Sequence, residues 1–300
     1  ASLADVAHSG DAPDVYADSQ LFFEKTYPTS GLKELLTRLA TRFVGAHNDD
    51  YTGTNGILRL DTSFGGGKTH NQIAAYHLAE APSAVPDLSD FIVDQDIADE
   101  YTDAAALGLN VNTAVFVGTH VDAEDARSNY DDTDAPATKT MWGEMAYQLF
   151  GREGYEFLRK NDENRTPPGT TKLERLFERN DNPSLILLDE IAAYLEQAAA
   201  VEIGDSTLAK QTNTFLMSLL SATQNNDKVT VVLSIADTAF AGQAEDVRGL
   251  VSETISEFNS ISDRVEGSIT PTEDNEIAAV LRHRLFESVE EDGRDATVDA

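Results

Sequence analysis

The sequence predicts an α/β protein built as a three-layer sandwich, with helices on both faces of a central parallel sheet and acidic insertions between elements. Three observations predict it. Short apolar runs of buried-strand type alternate with helical periodicity; a glycine-rich turn joins one strand to a helix; and another strand closes on two adjacent carboxylates.

Taken in order, residues 1–20 are rich in Asp, Ser and Ala and read as a flexible N-terminal arm, with order beginning at Leu21. After the turn signal Pro28-Thr29-Ser30-Gly31, the residues Leu32, Leu35, Leu36, Leu39, Ala40 and Phe43 recur at helical spacing. Gly56 to Asp61 reads as a strand and Lys68 to Ala81 as a helix, closed by Pro82 and Pro86. Asp87 to Asn112 reads as an acidic connection of weak helical character, and Thr113 to Gly118 as a buried strand. Asp122 to Ala137 is turn-rich and acidic, a surface insertion, and Thr138 to Leu149 is a helix holding the only tryptophan, Trp142. Polar material follows to Pro183. Strands at Ser184 to Asp189 and Val229 to Ile235 flank a helix at Leu208 to Thr223. Gly267 to Thr270 reads as a short fifth strand and Asp274 to Val289 as a last helix. The organisation predicted is an arm over 1–20, one domain over 21–289 and a charged tail over 290–300, the whole a fragment of something longer.

With 300 residues, 41% of them hydrophobic, the chain can bury one large core. It has no cysteine, so disulfides, thiolate metal sites and cysteine nucleophiles are excluded. No run of about 18 apolar residues occurs and the start lacks the pattern of a signal peptide, so a cytoplasmic protein without membrane contact is expected. The 53 acidic against 22 basic residues give a net charge of −31, which ordinarily argues against nucleic-acid contact. Spread over the whole chain, the excess also suits a surface hydrated in strong salt and a halophilic source. At molar salt the Debye length falls to about 3 Å, so bulk charge there repels a polyanion little.

The turn Thr62-Ser63-Phe64-Gly65-Gly66-Gly67-Lys68-Thr69 stands between a strand and a helix, the context that makes a phosphate-binding loop. Glycines turn backbone N–H groups onto phosphate oxygens, the helix N-terminus adds positive potential, Lys68 neutralises the β- and γ-phosphates, and Thr69 ligates Mg²⁺. The common pattern asks for glycine where Thr62 stands, and Gly65 and Gly66 supply freedom at the apex. A glycine-rich turn with an incidental lysine is the competing reading. Leu185-Ile186-Leu187-Leu188-Asp189-Glu190 argues against it, because Asp189 is placed to hold Mg²⁺ and Glu190 to activate water against the γ-phosphate of ATP. Glu190 favours hydrolysis over phosphoryl transfer to a substrate. At the end of the fourth strand, Ser234 or Asp237 could sense the γ-phosphate or merely cap the strand. Arg264 could reach a neighbouring subunit's nucleotide or balance Asp263 at the surface. His70 follows Thr69 and lies beside the site, with packing as its plainer role. Arg282, His283 and Arg284 read as a solvated face, no H-E-x-x-H metal pattern occurs, and the absence of G-x-S-x-G excludes a nucleophile elbow.

The order of these elements resembles the AAA+ branch of P-loop NTPases over residues 21–286. More narrowly, the stretches from Phe22 to Lys33, from Phe64 to His70 and from Thr140 to Glu144 resemble a family of large prokaryotic ATPases with a domain of unknown function. Its members stand beside DNA methyltransferases and helicases in phage-defence clusters of the BREX type. The resemblance implies ATP and Mg²⁺ as ligands, Lys68 and Thr69 on phosphate and metal, Asp189 on Mg²⁺, Glu190 on water and Arg264 as a finger in trans. It also implies a homo-oligomer that energises a DNA-modification or phage-defence complex with methyltransferase or helicase partners. The long spacing from Lys68 to Asp189 departs from compact AAA+ members, and no helical lid precedes the end of the chain. A signalling or scaffold switch with little turnover is one alternative. A DNA translocase is another, although no basic stripe for gripping DNA is visible.

Overall fold

The computed structural model describes residues 1–48, 54–61, 67–84, 88–126, 135–234 and 268–285, together with residues 249, 252 and 256. Its strands are β1 (Ile57–Leu60), β2 (Asn112–Val117), β3 (Ser184–Asp189), the two-residue pair β4 (Glu202–Ile203) and β5 (Ser206–Thr207), β6 (Val229–Ser234) and β7 (Ser268–Ile269). The order β2-β3-β6-β1-β7 makes one sheet in which every pairing is parallel, while β4 and β5 form a separate antiparallel hairpin.

A parallel sheet is covered on both faces, so its strands must be apolar on both. β3 and β6 are buried along their whole length. Alternate residues feed two cores. Phe116, Ile186, Leu188, Val231 and Leu233 pack on one face with Trp142, Leu173, Tyr194 and Phe215. These come from α6 (Met141–Glu163), α7 (Thr170–Phe177), α8 (Ile191–Ala199) and α9 (Leu208–Gln224). Val115, Leu185, Leu187 and Val232 pack on the other face with Phe22, Leu36, Ile73 and Tyr101. Those belong to α2 (Ser19–Glu24), α3 (Ser30–Asn48), α4 (Lys68–Glu80) and α5 (Gln95–Ala106). The predicted α/β architecture with a central parallel sheet is therefore present.

Several local expectations are corrected. Residues 1–20 are not a loose arm: they contain a π-helical turn at Asp5–Ser9 and α1 (Asp14–Ala17), and Leu3 and Ala4 are buried in the second core. Val6, Ala7 and Tyr16 pack against the same core, and His8 Nε2 lies 3.2 Å from the Val115 carbonyl on edge strand β2. The connection after Pro86 carries a full helix, α5, whose start is capped by Asp94 accepting from the Asp96 N–H at 3.0 Å. Within the acidic insertion, Ala123 and Ala126 are buried, and residues 127–134 lie outside the described residues. The helix expected to stop at Leu149 runs to Glu163 across a kink at Phe150 and Gly151, and the polar stretch beyond it forms α7. The last helix is α10 (Ile277–Leu285), preceded by a 3-10 turn at Asp274–Glu276.

The Thr140 to Glu144 motif builds a buried knot. Thr140 caps α6 and donates to Asp162 Oδ1 at 2.6 Å, and Thr138 donates to Glu144 Oε2 at 2.7 Å. A side chain at Gly143 would fall 2.1 Å from Asp162 Oδ1, so glycine alone lets this carboxylate approach. Burial pushes the Asp162 carboxyl up while its hydrogen-bond donors pull the other way. Gln148, one turn on, accepts from the Val115 N–H at 2.7 Å and donates to the Val115 carbonyl at 3.1 Å, closing the exposed edge of β2. Among the described residues no helix is long and apolar enough to cross a membrane.

Candidate functional site

The connection leaving β1 runs through α4 on one face of the sheet, and that leaving β3 runs through α8 on the other. Such a divergence opens a crevice at the carboxyl ends of the strands. Register brings the polar residues level there: Leu60 of β1 pairs with Ser234 of β6, and Val117 of β2 with Asp189 of β3.

α4 begins at this crevice. Gly67 caps it in the left-handed region, φ 86°, a conformation that glycine adopts without the cost a side chain imposes. Lys68 and Thr69 form its first turn, where backbone N–H groups and the helix dipole favour an anion. The segment after β7 closes over this point, since a side chain at Gly67 would meet Thr272 Oγ1 at 3.2 Å. That segment is held in turn by the Phe22 to Lys33 stretch. Thr29 donates to the Pro271 carbonyl at 2.6 Å, and Gly31 lies so close to the Thr270 carbonyl that a Cβ would be 1.9 Å from its oxygen.

Asp189 is the hub. Only 2% exposed, it accepts from Thr69 Oγ1 at 3.0 Å, from the Ser234 hydroxyl and from the Glu190 N–H at 3.1 Å. Burial pushes its carboxyl up, and the Ser234 and Thr69 hydroxyls counter part of that by favouring the charged form. Gln72, fully buried one turn into α4, donates to the Leu188 carbonyl at 3.1 Å and pins the helix against β3.

Glu190 differs from its neighbour in exposure and in backbone conformation. It is exposed and its backbone is left-handed, φ 52°, a strained conformation for a residue with a side chain. The Thr119 hydroxyl donates to Glu190 Oε2. A Cβ at Gly118 would lie 2.2 Å from the Glu190 carbonyl oxygen, so this glycine is what lets the end of β2 approach. A chain continues outward: Thr119 Oγ1 lies 3.1 Å from His120 Nδ1, and His120 Nε2 lies 3.2 Å from Ser2 Oγ.

Among the described residues no group of three or more His, Asp or Glu side chains converges on one point. A hydroxyl and one buried carboxylate 3.0 Å apart are nonetheless a hard-oxygen pair suited to Mg²⁺, which usually takes one or two protein ligands and completes its shell from phosphate and water.

Lys68, Thr69, Asp189, Glu190 and Ser234 thus gather at one crevice. His70, by contrast, packs its ring on Phe22, centroids 4.6 Å apart, and sets Nε2 3.0 Å from Thr26 Oγ1. Ser63, Phe64, Gly65, Gly66, Asp237 and Arg264 lie outside the described residues. Thr119, Gly118 and Gln72 went unread in the sequence. Gly118 closes a predicted strand that ends beside Asp189 and Thr119 follows it, and that position was the one available signal.

Comparison with curated proteins gives no match, and neither does comparison with solved structures. A family model, the DUF499 N-terminal domain, matches residues 1–269. The chain, with its parallel sheet and the carboxyl-end crevice just described, belongs to that family.

Proposed function

We propose that this chain is an AAA+-like P-loop ATPase that binds ATP with Mg²⁺ at the carboxyl-end crevice and hydrolyses it. The observation that carries the reading is the convergence on Asp189: the Thr69 hydroxyl from the first turn of α4 and the Ser234 hydroxyl from β6 both reach this buried carboxylate. In that reading Lys68 and the start of α4 hold the β- and γ-phosphates, and Thr69 and Asp189 hold the metal. Mg²⁺ held there would neutralise phosphate charge, Ser234 would be the polar group that meets the γ-phosphate, and Glu190 would orient and deprotonate water. The unlike settings of the two carboxylates support the division of labour, since a buried, hydroxyl-bonded Asp189 suits a metal and an exposed Glu190 suits water. The family resemblance extends the proposal to a homo-oligomer acting with DNA methyltransferase or helicase partners in phage defence, with Arg264 as a finger in trans.

The Thr119 to Glu190 hydrogen bond favours a second reading, a nucleotide-dependent switch with slow turnover, because it occupies one oxygen of the water-activating carboxylate. Mg²⁺-dependent phosphate release at high KCl separates the two. Turnover that is lost in Lys68→Ala and in Glu190→Gln supports the hydrolase; ATP binding without turnover supports the switch; no ATP binding sinks both. Adding duplex DNA tests whether DNA stimulates the rate, as a translocase requires.

A further inference from the structure

Beside the first turn of α4 the structure holds a cleft of about 330 Å³, lined by Tyr16, Leu21, Phe22, Lys25, Thr26 and His70. We propose that it is a nucleobase subsite, taking the purine ring of the nucleoside triphosphate whose phosphates lie at Lys68 and Thr69. The proposal rests on the nucleotide-binding reading above and extends it to residues that no phosphate chemistry requires.

Position comes first. His70 is one residue beyond Thr69, about 3.8 Å along the chain, and turned roughly 100° around the helix, so the cleft and the phosphate end share one helical turn.

The lining fits a flat, π-rich ring. Small-molecule sites of about 300–1,000 Å³ are walled mainly by apolar and aromatic side chains with a few placed polar groups, and this cleft meets that description at its lower bound. Three rings converge on it: Phe22 and His70 pack with centroids 4.6 Å apart and a tilt of 33° between their planes, and Tyr16 meets His70 edge-on with centroids 6.3 Å apart. Lys25, exposed beside them, puts a cation where a purine face can meet it.

The His70 ring is also held in place. The Thr26 hydroxyl has one proton and donates it to the Phe22 carbonyl at 2.6 Å, so toward His70 it can only accept. The His70 Nε2–H therefore donates across the 3.0 Å contact, fixing the ring plane and the tautomer before any ligand arrives. Stacking on a pre-set ring loses less entropy than stacking on a mobile one.

Titration calorimetry of the full chain with Mg²⁺ tests this, using ATP and inorganic triphosphate as separate ligands. Wild type is expected to bind ATP about tenfold or more tighter than triphosphate. His70→Ala and Lys25→Ala are each expected to weaken ATP about fivefold to tenfold and to leave triphosphate unchanged, with the fold checked by circular dichroism. Tyr16→Ala, at the half-exposed wall, guards against a His70 variant that unfolds. Equal affinity of wild type for the two ligands, or variants that weaken both alike or neither, overturns the subsite while leaving the phosphate site standing. Failure of wild type to bind either ligand overturns the nucleotide reading, and the subsite with it.

Discussion

The two ends of the sheet both bury a charged side chain, and they treat it in opposite ways. At the amino ends, Arg42 of α3 is 6% exposed and its guanidinium is fully engaged: Nε donates to Thr230 Oγ1 at 2.8 Å, Nη2 to the carbonyls of Asp227 and Val229 at 2.8 Å each, and Nη1 to the Thr54 carbonyl. Burial pulls its pKa down to about 10, with the Asp227 charge opposing. At the carboxyl ends, Asp189 is held by two hydroxyls, groups that can rotate and re-pair when a ligand arrives, and its neighbour Glu190 is exposed and strained. A charge held mostly by fixed backbone carbonyls ties strands together. A charge whose partners are hydroxyls beside a helix N-terminus is poised for exchange, which is why the crevice and not the arginine knot is read as the site.

The largest effect expected is on turnover. Glu190→Gln should lower the hydrolysis rate by about 10²–10⁴-fold with ATP affinity retained, measured as phosphate release beside calorimetric binding. A variant that turns over normally would break the contrast between the two ends. Arg42→Ala should do the reverse, costing about 3–5 kcal/mol in chemical denaturation because several buried carbonyls lose their donor, while nucleotide affinity per folded molecule stays unchanged. Gly118→Ala joins both properties: its Cβ would meet the Glu190 carbonyl oxygen at 2.2 Å, so about 1–3 kcal/mol of stability and part of the turnover should go together. Thr119→Val should slow hydrolysis about tenfold if the hydroxyl positions Glu190, whereas a faster variant would mark the hydroxyl as a restraint and favour the switch.

The smallest effect concerns pH. Burial holds the His77 pKa below 6.5, against its hydrogen bond to the Tyr16 carbonyl at 2.8 Å and the charge of Asp18. The folded state keeps His77 neutral where the unfolded chain takes up a proton, so its contribution is present above pH 6.5 and is lost as pH falls through the folded value. Thermal midpoints should therefore drop on acidification through that window, and His77→Gln should flatten the dependence.

What the sequence by itself determined is whatever rests on local pattern. The buried runs at Ser184 to Asp189 and Val229 to Ser234, the helix beginning at Lys68, and the carboxylates of Asp189 and Glu190 at a strand end are each legible in a few consecutive residues, because apolar periodicity and backbone geometry are local. Only the tertiary structure decided the rest. That β6 lies between β1 and β3 is a matter of pairing at long range, and it alone carries Ser234 to Asp189, 45 residues away in sequence. The same holds for Thr119 against Glu190, separated by 71 residues, and for Thr26 against His70, separated by 44. A hydroxyl carries no periodic signature, so nothing marks it as a partner until packing brings a carboxylate or a ring to it. Residues 1–20 teach the same lesson in reverse, since buried Leu3 and Ala4, with Val6, Ala7 and Tyr16 packed beside them and His8 at the Val115 carbonyl, anchor a segment whose composition resembles a linker.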